Sequence, residues 1–411
     1  MIELGLVQTL GLGTAALFAG ELMRRIIPPL GRYNLPAPVL GGLLVSVVVL
    51  IGHETGRLKE VTFDETLVVP LMIAFFTTIG FGASFSLLKK GGPQVFLFLA
   101  LSTVAAVLQN VVGASVAVAT GQSPLFGVLC GSVSLTGGPG TALAFAESFE
   151  KAGVEGAGVI GATCAMGGII AGGIVGSPIG TLLIERLRRP ALDGVTGPTL
   201  SVEEVVESRV PEPVEHVPPG EDVESYVLIK NVGLILIAMW AGLWVSAWLK
   251  SLGWTFPPYI GAMLIAAAMR NFDDVTGLLG LSQKTIDEVG NAALAYFLVI
   301  SLMILQLWQL AAVALPLLAV LAAQIMLIAV LCWWLIFPLL GRDYDAAVMS
   351  GGFYGFMMGT TANSMAIMDA LARRYGPAPR AFLVVPIVGA SFIDFTNALL
   401  IQGCLSLFGK S

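Results

Sequence analysis

Between Gly91 and Ala146 the chain runs for 56 residues without one Asp, Glu, Lys or Arg, and from Val289 to Gly341 for another 53. A membrane span takes about 20 apolar residues, so each run is long enough for two passes. A water-soluble surface cannot be built from such material. Only 12% of the 411 residues are charged, against about 25% in an ordinary soluble domain. Thirteen of the charges are gathered between Arg186 and Ser225, which leaves the remainder barer still. The fold class that follows is an all-α polytopic membrane protein.

Other classes fall away on the same features. A net charge of −6 without a basic patch argues against nucleic-acid binding. The apolar runs are continuous, whereas a transmembrane β-barrel alternates over segments of about ten residues. Cys130, Cys164, Cys332 and Cys404 stand singly in apolar stretches, which suits packing rather than metal binding. No GxxxxGK[ST] or HExxH motif occurs, and His53 and His216 both fall in expected loops. The chain therefore reads as a transporter rather than an enzyme, with no cofactor. Arg24 and Arg25 follow the first apolar stretch instead of preceding it, the order of an uncleaved helix.

Charges and Gly/Pro punctuation predict ten spans, at 4–23, 36–52, 66–88, 94–119, 156–184, 227–249, 257–270, 290–311, 314–340 and 381–408. Two further apolar pieces, 125–149 and 345–371, are interrupted by glycine-rich sequence at Gly137–Gly140 and around Gly359. Each half, about 15 Å of helix, is too short to cross a hydrocarbon core of about 30 Å. Together the halves can enter and return, so both pieces read as re-entrant hairpins. With the N-terminus outside, sixteen Lys and Arg fall in inner loops and five in outer ones. That bias fixes the orientation, with both termini outside and the 186–225 segment cytoplasmic.

Five spans on each side of the polar segment force opposite orientations on the two sides. Leu35–Leu44 resembles Thr255–Leu264, Ala74–Gly80 resembles Ala295–Ser301, and Gly140-Thr141 matches Gly359-Thr360, at offsets of 219 to 221. These spacings suggest two inverted-topology repeats, 1–185 and 226–411, joined by a linker at 186–225. An inverted repeat with broken helices is a pattern of secondary transporters, with the site between the repeats. The linker holds six prolines and nine acids, and Ser201 with Glu204 forms a capping box for a short helix at 201–210.

Candidate ligands cluster at the two breaks. In the first hairpin, Thr136, Gly137, Gly138, Gly140 and Thr141 offer bare backbone and hydroxyls, and the restarting helix presents free N–H groups to a carboxylate. In the second, Gly359, Thr360, Thr361 and Asn363 occupy the corresponding restart, where Thr360 or Thr361 also suits an N-cap. Asp394 stands alone in an apolar run, with Asn397 one helical turn on, and reads as a ligand for a cation or an ammonium group. Sodium prefers oxygen donors, for which Ser134, Thr136, Thr360 and Asp394 are the candidates. The mid-span amides Gln109, Asn110 and Gln324 are expected to hydrogen-bond between helices.

With these motifs in place, the chain resembles the bacterial sodium/glutamate symporter family. The resemblance rests on PAPVLGGLL (36–44), PLMIAFFTTIG (70–80), GSVSLTGGPGT (131–141), RDYDAAVMSGG (342–352), RYGPAPRAFLVVPIVGASFID (374–394) and NALLI (397–401). It implies inverted five-helix repeats with re-entrant loops, and an elevator-type substrate domain moving against a scaffold. It also implies a homodimer in the bacterial inner membrane and import of L-glutamate coupled to Na⁺. The chain departs from the family pattern at Pro139, commonly His, and at Ala362, commonly Pro. A sodium symporter for a di- or tricarboxylate is the alternative.

Overall fold

The computed structural model describes residues 2–28, 30, 35–55, 61–90, 92–187, 223–251, 258–308 and 313–409. The linker, with its expected helix at 201–210, lies outside the described residues except at its two ends. In chain order the elements begin with strand β1 (Ile2–Leu4), α1 (Leu6–Ile26), α2 (Ala37–Glu54) and strand β2 (Val61–Phe63). Then come α3 (Val68–Gly82), α4 (Phe85–Lys90), α5 (Gly92–Ala119), α6 (Pro124–Val128), α7 (Gly138–Lys151) and α8 (Ala157–Arg186). Beyond the linker follow α9 (Val223–Ser251), α10 (Pro258–Thr276), α11 (Gln283–Met303), α12 (Ala314–Leu331), α13 (Phe337–Leu339), α14 (Tyr344–Met357), α15 (Thr361–Tyr375), α16 (Pro379–Ile387) and α17 (Ile393–Phe408).

Among the described residues six helical stretches are long and apolar enough to cross a membrane: α1, α5, α8, Ser225–Leu249, α11 and Ala314–Leu339. α2, α3 and α17 are apolar but shorter. Large apolar side chains stand on the outside, among them Phe18, Trp240, Trp244 and Trp334. Lipid accommodates such a surface and water does not. The chain is a helical polytopic membrane protein.

Its contacts divide into two compact units, each drawing on both sides of the linker. One comprises Glu65–Lys90 and Leu200–Phe297, which brings together α3, α4, α9, α10 and most of α11. Phe81, Ile235, Ala238, Ala266, Leu281 and Ile286 form its apolar core. Phe76 stacks on Tyr259 with ring centroids 4.1 Å apart. The span expected at 66–88 is two helices here, parted at Ala83-Ser84. Polar groups of α10 stabilise that break: Asn271 Nδ2 donates to the Ala83 carbonyl at 2.8 Å, and Asn271 Oδ1 accepts the Phe85 N–H at 2.8 Å. The Ser84 hydroxyl donates to Asp274 at 2.5 Å, and Asp274 pairs with Arg270 at 3.0 Å. α11 starts earlier and ends earlier than the apolar run 290–311 suggested. Ser282 caps its polar first turn by accepting the Thr285 N–H at 3.4 Å, and apolarity alone carries no such signal.

The other unit comprises Met1–Asp64, Gly91–Thr199 and Leu298–Ser411. β1 and β2 pair in parallel, with Ile2 opposite Val61, a clasp the sequence reading did not anticipate. The Thr9 hydroxyl ties this clasp to α1, donating to the Leu4 carbonyl at 3.2 Å and accepting the Asp64 N–H at 3.1 Å. α6 runs on through a π-helical turn, Leu129–Val133, and with α7 makes one helical hairpin. α14 and α15 make the other. π-helical turns at Cys332–Ile336 and Val388–Phe392 also link α12 to α13 and α16 to α17.

α8 is the bed on which both hairpins lie. A Cβ on Gly161 would stand 2.9 Å from Ala142 of the first hairpin. On Gly172 and Gly176 it would meet Asn363 and Ile367 of the second, each at 2.5 Å. Small residues at this spacing let helices approach closely where no hydrophobic effect drives them together. α5 and α6 cross in the same way, since a Cβ on Gly127 would stand 2.1 Å from the Gly113 carbonyl. Gly127→Val should therefore part the two helices and cost about 1–3 kcal/mol or more. Gly403→Ala, in open space on α17, should instead raise stability by up to about 1 kcal/mol. Thermal unfolding of the purified variants in detergent measures both.

Candidate functional site

Two helices are broken within the same unit, and different residues make each break. In the first hairpin Ser123 caps α6, accepting the Phe126 N–H at 3.3 Å, with Pro124 in the first turn, where a missing N–H costs nothing. The ladder gives way at Gly131, whose φ of −98° and ψ of −125° are non-helical. The chain then turns tightly: Leu135 N–H reaches the Gly131 carbonyl and Gly137 N–H the Ser132 carbonyl, both at 2.9 Å. α7 restarts at Gly138, two residues before the Gly140 restart expected from sequence. Gly138 takes a φ of +69°, open to glycine at little cost. Pro139 fits the first turn because its fixed φ is helical and no hydrogen bond is asked of it. Gly138 and Gly140 keep the free N–H groups of a helix start, and Thr141 adds a hydroxyl in the same turn.

In the second hairpin, Asp343 caps α14 by accepting the Ala346 N–H at 2.9 Å. The helix ends after Met357, and Thr360 caps α15 with an extended backbone, its hydroxyl accepting the Asn363 N–H at 3.2 Å. The cap leaves the N–H groups of Thr361 and Ala362 free at the start of α15. Thr361 donates its hydroxyl to the Gly389 carbonyl at 2.9 Å, and Asn363 Nδ2 donates to the Ile169 carbonyl at 3.1 Å.

The tips meet. A Cβ on Gly138 would stand 3.1 Å from the Gly359 carbonyl oxygen and 3.8 Å from the Thr360 methyl group. One side chain of α5 clamps the pair: Gln109 Oε1 accepts the Thr136 hydroxyl at 2.6 Å, and Gln109 Nε2 donates to the Met357 carbonyl at 2.8 Å. Gln324 Nε2 of α12 in turn donates to the Gln109 backbone carbonyl at 2.7 Å. These mid-span amides thus do bond between elements: Gln109 holds both tips, and Gln324 holds Gln109.

The late polar pair splits in role. Asn397 Nδ2 donates to the Ser132 carbonyl at 3.0 Å, tying α17 to the first hairpin. Asp394, one turn earlier and half-buried, makes no hydrogen bond or ion pair among the described residues. Ser134 is fully buried and donates to the Leu129 carbonyl of its own hairpin at 2.6 Å, so it lies behind the tip rather than on it. Sequence reasoning passed over Ser132. Asn110 Oδ1 accepts its N–H at 3.0 Å, and its hydroxyl is buried without a hydrogen-bond partner, as is Asn397 Oδ1. A serine in a glycine-rich motif gives no sign of this, because the partners come from helices distant in sequence.

The arrangement is two facing helix starts with free N–H groups and two threonines, with a carboxylate one turn from the Asn397 that bonds the first hairpin. It suits a small anion together with a cation. Residues 2–377 match the family model described as "Sodium/glutamate symporter". The sodium/glutamate symporter of Escherichia coli (strain K12) is 35% identical over 408 residues, covering 99% of both chains. That of Haemophilus influenzae (strain ATCC 51907 / DSM 11121 / KW20 / Rd) is 34% identical over 396 residues, covering 96% of both. With matched residues spanning the hairpins and nearly the whole chain, this protein belongs to the sodium/glutamate symporter family.

Proposed function

We propose that the chain imports L-glutamate with Na⁺ across the bacterial inner membrane by alternating access. The observation that carries this reading is the meeting of two helix starts at Gly138 and Gly359-Thr360. Each start concentrates partial positive charge, and glutamate brings two carboxylates. Gly138, Gly140 and Thr141 would receive one, and Thr361 with the neighbouring first turn of α15 the other. Thr136, Gly137, Gly359, Thr360 and Asn363 would shape the cradle around them. Asp394, beside Asn397, would balance the ammonium group or a sodium ion. Backbone dipoles suit this task because a transporter must release what it binds.

The inverted repeats, 1–185 and 226–411, belong to the same reading, with ten spans and two re-entrant hairpins, both termini outside and the linker in the cytoplasm. A reciprocal pair of bonds supports it. Asn397, after the linker, bonds the first hairpin at Ser132, and Asn363 of the second hairpin bonds α8, before the linker, at Ile169. Division into two compact units supports an elevator in which one moves against the other, within a homodimer as the family implies. Glutamate carries one net negative charge, so entry with one Na⁺ is electroneutral. With two, the membrane potential adds about 2.3 kcal/mol per 100 mV.

Radiolabelled glutamate uptake into proteoliposomes, with and without an inward sodium gradient, tests the function. Accumulation should require the gradient. If malate or citrate competes while glutamate and aspartate do not, the substrate is a carboxylate without an amino group. Asp394→Asn should abolish coupled uptake at normal expression, and unchanged uptake would return Asp394 to a structural role. Gln109→Ala strands the Thr136 hydroxyl and the Met357 carbonyl, at about 1–3 kcal/mol for each buried group left unpaired. Its glutamate affinity and its Tm should both fall.

A further inference from the structure

We propose that Ser132 Oγ, Asn397 Oδ1 and the Asp394 carboxylate bind a sodium ion behind the tip of the first hairpin, apart from the helix starts that take the anion. This rests on the sodium-coupled reading above and gives the ion a place within it. Ser132 and Asn397 are 0% and 1% exposed, yet their hydroxyl and amide oxygens have no hydrogen-bond partner. An orphaned buried polar atom costs about as much as a lost hydrogen bond. Two orphans on bonded neighbours therefore point to a ligand between them.

The neighbours are bonded: Asn397 Nδ2 donates to the Ser132 carbonyl at 3.0 Å, which spends the donor end of the amide and leaves its oxygen free. Asp394 precedes Asn397 by one turn of α17, so the two side chains share a face. Its carboxylate has no other hydrogen-bond or ion-pair partner among the described residues. The unsatisfied groups are all oxygen, two neutral and one anionic, with no free nitrogen or sulfur. That set matches a hard monovalent cation, whose charge the carboxylate neutralises. Substrate ammonium fits poorly, since it would have to bring its carbon skeleton to two fully buried atoms, whereas a bare ion would not.

The position explains coupling. Ser132 stands just after the non-helical Gly131, and Asn110, Asn397 and Gly137 fix its backbone. A cation drawing on Ser132 Oγ and α17 firms the turn that leads into Thr136 and Gly138. It thereby organises the N–H groups offered to the anion, and by linkage the anion raises sodium affinity by the same factor.

Ser132→Ala tests this without cutting a hydrogen bond, because Ser132 Oγ makes none. The sodium concentration for half-maximal glutamate uptake should rise at least about tenfold, with the rate at saturating sodium retained. Sodium, compared with potassium and without glutamate, should raise the Tm of the purified wild type, and this rise should shrink in the variant. Its Tm in potassium should stay at or above that of the wild type. Wild-type sodium dependence in Ser132→Ala would overturn the site, as would a lower Tm in potassium, which would give Ser132 Oγ a structural task. Sodium-independent uptake by the wild type is a separate result, and it removes the symport reading itself.

Discussion

In a hydrocarbon core no water is available to an unpaired backbone N–H or C=O, and each one left open costs several kcal/mol. A broken helix persists there only where protein supplies the missing partners. Much of the hairpin-bearing unit follows from that constraint. Gly131 opens the ladder of the first hairpin, and Asn110 and Asn397 take up the freed groups of Ser132. Gln109 accepts from the tip hydroxyl Thr136 and donates to Met357, where α14 ends. The same logic governs the other unit at Ala83-Ser84, where Asn271 and Asp274 of α10 serve the break.

A break that is served from behind can present its remaining groups forwards. Carboxamides satisfy the rear of each tip, and the first-turn N–H groups of α7 and α15 stay free to face a ligand. Holding an anion with backbone dipoles avoids burying a lysine or arginine, which would cost several kcal/mol in the membrane and would grip the substrate in every state. The glycines serve the same end from the side: α8 is smooth enough along Gly161, Gly172 and Gly176 for both hairpins to lie on it.

Much of this was legible in the sequence. The two hairpins are visible as apolar pieces with glycine at the middle, and Thr360 or Thr361 as an N-cap, between which the structure chooses Thr360. Gln109, Asn110 and Gln324 stood out because amides inside apolar runs need partners. Other features were not legible. The break at Ala83-Ser84 has no proline, and its nearby glycines, Gly80 and Gly82, are not clustered as at the hairpin tips. Only α10, some 190 residues away, makes it affordable. The β1–β2 clasp is three residues on each side, too short for any periodicity to register. Ser132 carries no local mark, because its partners Asn110 and Asn397 come from other helices.

The sequence by itself determined the solvent, the helical class, the two glycine-rich breaks at Gly137–Gly140 and around Gly359, and which polar residues inside apolar runs need partners. Each of these follows from local composition, because the price of a charge or an open peptide group in hydrocarbon does not depend on the partner's identity. Only the tertiary structure decided which groups meet. It joined Gly138 to Gly359, set Gln109 across both tips, and left Asp394, Asn397 Oδ1 and Ser132 Oγ without partners among the described residues. Hydrogen bonds of 2.6–3.1 Å between residues 27 to 265 positions apart depend on how whole helices cross, and no local pattern records that.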